Sequence, residues 1–302
     1  MSQMDRQLIA KQTGRKRLLV FDVDGTLTNS QHEITPATRR AVARVQAGGI
    51  RVMLATGRRY RDVLPVAQLL GISGPLVTAS GALVKEPADH RTLFQAGFAP
   101  GVLSATMNVV VAAGLEPILY TDSFESGFDF YCRTLEGAGG LGEYLCLNRS
   151  MARVFPLLDQ NLPGGVFAGF VMGARPQMLA LEAALDAAFP GQLSLHTIRS
   201  PRYRDWMCEI APAGVTKWSG VLPVAAAWGI QPAEICAVGD DLNDLSMILG
   251  AGLGIAMGNA QPGVLAIADQ IVATHDEDGI GQIVDLLLAE TPHSAPFGGT
   301  VD

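Results

Sequence analysis

"LLVFDVDGTL", residues 18–27, runs four apolar residues into two aspartates, Asp22 and Asp24, one valine apart. An apolar run of this length reads as a buried strand, and residues i and i+2 of a strand point to the same side. If extended geometry persists to the tip, both carboxylates aim into one crevice and Gly25 lets the chain turn away. Like charges so placed repel and raise each other's pKa. Taken alone, Asp-Gly is also a common turn dipeptide, so the meaning of the pair depends on what the rest of the chain brings to it.

Strand-length apolar runs alternate with helical patterns on both sides of this stretch. A helix from Thr35 to Gln46 is followed by a strand over 50–56, a helix over 59–71 and a third strand over 75–80. Continuous apolar strands separated by helices predict a parallel sheet covered on both faces. Between Lys85 and Arg199 the rhythm changes, with more glycine and ambiguous strands. It resumes at "DWMCEIAP" (205–212), then a helix over 215–228, the strand "EICAVGD" (234–240) and "GLGIAMG" (252–258). The expected architecture is therefore α/β, a doubly wound, Rossmann-like core over 1–84 and 200–302 with an inserted α+β domain over 85–199. The Pro/Gly-rich tail from Glu290 is expected to be loose.

With 48% hydrophobic and 17% charged residues in 302, the chain has ample material for real cores, enough for about two domains. A net charge of −7 disfavours non-specific binding to nucleic acid or anionic lipid. Cys132, Cys146, Cys208 and Cys236 have no metal spacing and are expected to be free thiols. The N-terminus lacks the apolar core of a signal peptide, and "GVLSATMNVVVAAGL" (101–115) is too short to span a bilayer. A soluble, cytoplasmic protein is expected, with no nucleic-acid or membrane partner; oligomeric state is not legible.

In an open parallel sheet, ligands bind beyond the carboxyl ends of the strands. Four such places carry conspicuous polar chemistry: Asp22 and Asp24; Thr56-Gly57-Arg58; Gly214-Val-Thr-Lys217; and "GDDLNDLSM", with Asp240, Asp241, Asn243 and Asp244. Each has a plain reading as a turn, a helix cap or a solvated charge. Their conjunction at one end of the sheet does not. An EF-hand is excluded because Thr26 and Leu27 stand where a ligand and glycine are required, and no Walker-type glycine loop occurs. Clustered carboxylates become tolerable around Mg²⁺, which favours a few carboxylates, water and a substrate phosphate. A carboxylate can also attack phosphorus, with Lys217, the Thr56 hydroxyl and backbone N–H groups to stabilise the phosphoryl oxygens.

The motifs "FDVDGTLT" (21–28), "LATGR" (54–58), "GVTK" (214–217) and "VGDDLNDLSMI" (238–248) together resemble the haloacid dehalogenase superfamily of phosphohydrolases. The long gap between Thr56 and Lys217 resembles the Cof-type subgroup, with an α/β cap between the second and third motifs. The resemblance implies a Mg²⁺-dependent phosphatase that opens a small phosphate ester, a sugar phosphate among the expected substrates, through an aspartyl-phosphate. It implies Asp22 as nucleophile and metal ligand, and Asp24 as general acid/base and backbone-carbonyl ligand. Thr56 and Lys217 would hold the phosphoryl group, Asp240 would be the second carboxylate ligand, and Asn243 and Asp244 would support the metal or Lys217. Gly57, Ser80 and Gly81 are expected at the substrate. Two departures from the subgroup stand out: Ser80-Gly81 replaces an Asn-Gly, and bulky Trp218 follows the lysine. Arg199, Arg202 and Arg204 are further candidates for an anionic substrate. A phosphomutase, and a non-catalytic phospho-acceptor module, are the alternative readings.

Overall fold

The computed structural model describes residues 14–158, 161–200 and 202–289, so the expected loose tail lies outside the described residues. The strand Leu18–Phe21 is fully buried and is an interior strand of a five-stranded sheet, second from one edge. It pairs in parallel with Arg51–Leu54 on one side and Ile235–Gly239 on the other; Leu253–Ala256 and Gln270–Ile271 follow beyond the latter. Period-two alternation divides the core. Leu19 and Phe21 face Val42, Val63 and Ile283 of the helices Pro36–Ala47, Tyr60–Leu70 and Gly279–Ala289. Leu18 and Val20 face Val221 and Met247 of the helices Lys217–Ala227 and Leu245–Gly250. Burial on both faces is what makes the strand an unbroken apolar run.

The chain leaves this first strand to one side and later returns on the other, so the topological switch point lies at Asp22. The register sets Phe21 opposite Leu54 and Val238, which brings Asp22, Thr56 and Asp240 to the same edge. The expected third strand, Leu76–Thr78, touches this sheet through the single bridge Ala55–Val77. It continues instead into a small antiparallel sheet with Leu83–Lys85 and Thr92–Gln95.

A second, six-stranded sheet carries two helices, Val102–Ala112 and Arg175–Ala188, on its outer face. The strand Trp206–Pro212 belongs here. It is antiparallel to Val166–Gly173 and Leu193–Arg199, whereas the sequence reading had returned it to the first sheet. An apolar run does not say which sheet will bury it, and pairing with its hairpin neighbour prevailed. None of the four cysteines forms a disulfide. Among the described residues no helix is long and apolar enough to cross a membrane.

One turn joins these parts. Ala79, Ser80 and Gly81 all have positive φ, and the amides of Ala79 and Ser80 donate to the carbonyls of Arg58 and Thr56. A Cβ on Gly81, at φ +99°, would lie 2.0 Å from the Thr216 carbonyl oxygen at the start of the Lys217 helix. Gly81→Ala is therefore expected to destabilise the fold by about 2–4 kcal/mol in chemical denaturation, because neither backbone can yield. A loss below half a kilocalorie would show that the contact is not needed.

Candidate active site

Lys217 is the first residue of its helix, and the segment before it is fixed by a reciprocal cap. The Thr216 hydroxyl accepts from the Ser219 amide at 3.1 Å, and the Ser219 hydroxyl accepts from the Thr216 amide at 2.9 Å. The Lys217 side chain, 1% exposed, then reaches back to the tip of the strand Leu18–Phe21. Its ammonium donates to Asp22 Oδ1 and Asp244 Oδ1, both at 2.6 Å. Trp218, beside it, packs on the glycine at 250, where a Cβ would stand 2.4 Å from the indole nitrogen.

Asp244 is spent on scaffolding. Its second oxygen accepts the backbone N–H groups of Asp240 (2.9 Å) and Asp241 (3.0 Å), which shapes the loop after Ile235–Gly239. Asp240 accepts at 2.9 Å from the hydroxyl of Thr26, a residue without a role in the sequence reading although it stands in the same D-x-D-G-T stretch. A Cβ on Gly25 would lie 2.3 Å from Asp240, so glycine there allows the two loops to close. The oxygens of Asp22, Asp240 and Asp244 fall within 4.8 Å of one another.

Burial raises Asp22 to about 7. Asp244 and Asp24 add to the rise, while the Lys217 charge opposes it. Asp240 is likewise held well above the carboxylate range by burial, with Asp22 and Asp244 adding repulsion. Burial pulls the Lys217 ammonium down, but the two carboxylates outweigh it and keep it protonated. One lysine thus faces three carboxylates. This donor set fits a hard divalent cation, and Asp22, Asp240 and the main chain of Asp24 are the groups that would hold it.

Asp24 points elsewhere. Arg58 grips both its oxygens, from Nε and Nη2, each at 2.7 Å, with both side chains about 12% exposed or less. In sequence, Thr56-Gly57-Arg58 has the pattern of a helix cap, and nothing in a local pattern shows a partner 34 residues away. Thr56 is buried, and its hydroxyl accepts from the Arg58 amide at 3.2 Å.

Above these groups lies a cleft of about 300 Å³ bordered by Asp22, Asp24, Thr56, Gly57, Lys217, Asp240 and Asn243. Ser80, Gly81 and Asp244 do not border it, for physical reasons. The Ser80 hydroxyl is turned to Glu209 at 2.8 Å, Gly81 is pressed on Thr216, and Asp244 is fully buried beneath. Glu209 itself was missed, because its strand had been assigned to the wrong sheet. A lone acid within "WMCEIAP" was its only signal. Arg199 and Arg202 border the cleft, whereas Arg204 pairs with Glu143 on the surface.

Residues 19–284 match the model of a family described as haloacid dehalogenase-like hydrolase. The chain is similar to Phosphatase YwpJ of Bacillus subtilis (strain 168), 26% identical over 90% of this chain and all of that one. It is also similar to a putative phosphatase of Haemophilus influenzae, 28% identical over 87% of this chain and 95% of that one. Among solved structures, a haloacid dehalogenase-like hydrolase from Bacteroides thetaiotaomicron superposes with a TM-score of 0.74 at 27% identity. That match covers 90% of this chain and all of the other.

Millimolar Mg²⁺ is expected to raise the midpoint of thermal unfolding by about 4–8 °C, since a ligand that binds only the folded state stabilises it by mass action. In Asp240→Asn the metal-free protein should melt higher than the parent, because a repelled buried charge is removed, and the Mg²⁺ response should vanish. An undiminished response in that variant would place the cation elsewhere.

Proposed function

The chain belongs to the haloacid dehalogenase-like hydrolases and is a phosphatase of that family, and from that premise we propose that it is a Mg²⁺-dependent hydrolase of small phosphate monoesters acting through Asp22. The class includes the sugar phosphates expected from the sequence. The observation that carries the reading is the Lys217 ammonium lodged between Asp22 and Asp244 at the switch point of the sheet.

In this reading one Asp22 oxygen attacks phosphorus, the bond from phosphorus to the alcohol oxygen breaks, and Asp24 gives that oxygen its proton. Water then attacks the phosphorus of phospho-Asp22 and returns a proton to Asp24, releasing phosphate and restoring the Asp22 carboxylate. Lys217 and Thr56 hold the phosphoryl oxygens, and the Lys217 charge opposes the rise that burial imposes on Asp22. Arg58 holds both Asp24 oxygens in this structure, so Asp24 turns from that pair to give its proton, and Asn243 borders the same space. When bound, the cation would neutralise charge shared by the Asp22 carboxylate and the phosphate. Residues 85–199, together with the strand that ends at Pro212, would act as the cap that meets the leaving group. The segments before and after would form the catalytic unit.

Hydrolysis of p-nitrophenyl phosphate with and without Mg²⁺ tests the reading. Activity should require the metal and vanish in Asp22→Ala. Asp24→Asn should cost about 10²–10³ in kcat on alkyl phosphates. The loss should be much smaller on p-nitrophenyl phosphate, whose leaving group needs little help from an acid. Full activity in Asp22→Ala, or equal activity without metal, would refute it.

A further inference from the structure

Five lysine and arginine side chains border the cleft, and three of them are paired. Lys217 lies on Asp22 and Asp244, Arg58 on Asp24, and Arg59 on Asp62. Arg199 and Arg202 are the other two. Both are exposed, and among the described residues neither meets an acid. A chain with 29 acidic residues and a net charge of −7 thus leaves two cations uncompensated at one place on the cleft.

The turn that presents them is fixed by its other residues. The Ser200 hydroxyl, buried, accepts from the Tyr203 amide at 3.2 Å, and the Ser200 amide donates to the Asp205 carbonyl. Arg204 is bound to Glu143, and the Asp205 carboxylate accepts from the Gly140 amide at 2.7 Å. The Tyr203 hydroxyl accepts from Asn148, which also takes the Arg59 guanidinium. Arg199 and Arg202 hold none of this together. Their backbone is preorganised while their guanidinium groups stay open to a ligand, which lowers the cost of ordering them on binding.

Their position along the cleft sets a spacing. On the strand Trp206–Pro212, Glu209 borders the phosphate end, beside Gly57 and Ser80. Arg199 pairs with Trp206, three residues from Glu209, and so stands about 10 Å from it along the strand. The other acids of the cleft lie away from the turn, with Asp22 and Asp240 at the edge of the five-stranded sheet and Asp62 on Arg59. The cleft therefore has an acidic end that suits a cation and a basic end that suits an anion. Its wall also carries the rings of Tyr120, Tyr144 and Phe170, which supply no countercharge. Arg59 Nη1 and the Tyr144 hydroxyl are buried there with no hydrogen-bond partner among the described residues, so an alcohol bearing oxygens suits the wall better than a bare hydrocarbon.

A guanidinium binds a carboxylate or a phosphate through two parallel hydrogen bonds. We infer that the alcohol of the ester opened here carries a second anionic group, a carboxylate or a phosphate, which Arg199 and Arg202 receive about 10 Å from the phosphate end. The inference rests on the phosphatase reading above and names the class of ester within it.

Two matched pairs of esters, assayed with the full chain and Mg²⁺, test it. Fructose 1,6-bisphosphate against fructose 6-phosphate reads a second phosphate, and 6-phosphogluconate against glucose 6-phosphate reads a carboxylate. In at least one pair, kcat/KM should be about tenfold or more higher for the member with the second anion. In the double variant Arg199→Gln, Arg202→Gln that ratio should fall about fivefold or more, through KM, whereas a merely structural change would slow both members alike. A ratio near one in both pairs, or a preference that the double variant keeps, overturns the anion site and leaves the phosphatase intact. Should none of the four esters be cleaved, titration calorimetry with the same compounds decides separately. Tighter binding of the member with the second anion, lost in the double variant, supports the site, and equal binding within each pair overturns it.

Discussion

A single ammonium group, Lys217 Nζ, holds the catalytic end of this molecule together. It is almost fully buried, and only the two carboxylates it touches make that burial tolerable, since an unpaired charge there would be expelled or neutralised. The same contacts tie three separate pieces of chain: the tip of the strand Leu18–Phe21, the start of the Lys217 helix, and the loop that Asp244 shapes through two backbone amides. Remove the lysine and three acids face one another in a buried space. The glycines at 25 and 81 belong to the same constraint, because each lets one of these pieces approach the next more closely than a side chain would permit.

The groups proposed to react stand at the edge of the five-stranded sheet, whereas the surface proposed to meet the leaving group comes from the six-stranded sheet. This separates two demands. The charged end must be preorganised for phosphate, whose charge hardly changes between one ester and another. The opposite wall is free to vary with the alcohol, and here it is aromatic. The clamp between the two is built from Arg59, Tyr60 and Arg61. Arg59 reaches Asn148, Arg61 binds Asp129 and the Phe124 carbonyl, and Tyr60 packs edge-on against Phe124.

Much of the catalytic end was legible in the sequence because its chemistry is local. Asp22 follows from its place at a strand tip, Lys217 from its place at a helix start, and Asp240 from its place at a strand end. Asp24 does not, because the strand stops at Phe21 and Asp24, in the turn, is drawn to Arg58 rather than into the crevice with Asp22. What escaped depends on distance. Arg58 looks like a helix cap until its guanidinium is seen on Asp24. Glu209 sits in an apolar run that either sheet could have buried, and the choice was settled by pairing with the neighbouring hairpin strand. Tyr120, Tyr144 and Phe170 share a wall only because the second sheet places them there. Ser80 looked like a substrate contact, yet its hydroxyl serves Glu209.

The role given to Asp22 requires that its carboxylate itself become phosphorylated. The direct measurement is the stereochemical course at phosphorus, followed by transfer to an acceptor alcohol from an ester made chiral with oxygen isotopes. Two successive in-line displacements, the first by Asp22, predict retention of configuration. Inversion would mean that the acceptor attacks the substrate directly, and would contradict the role given to Asp22.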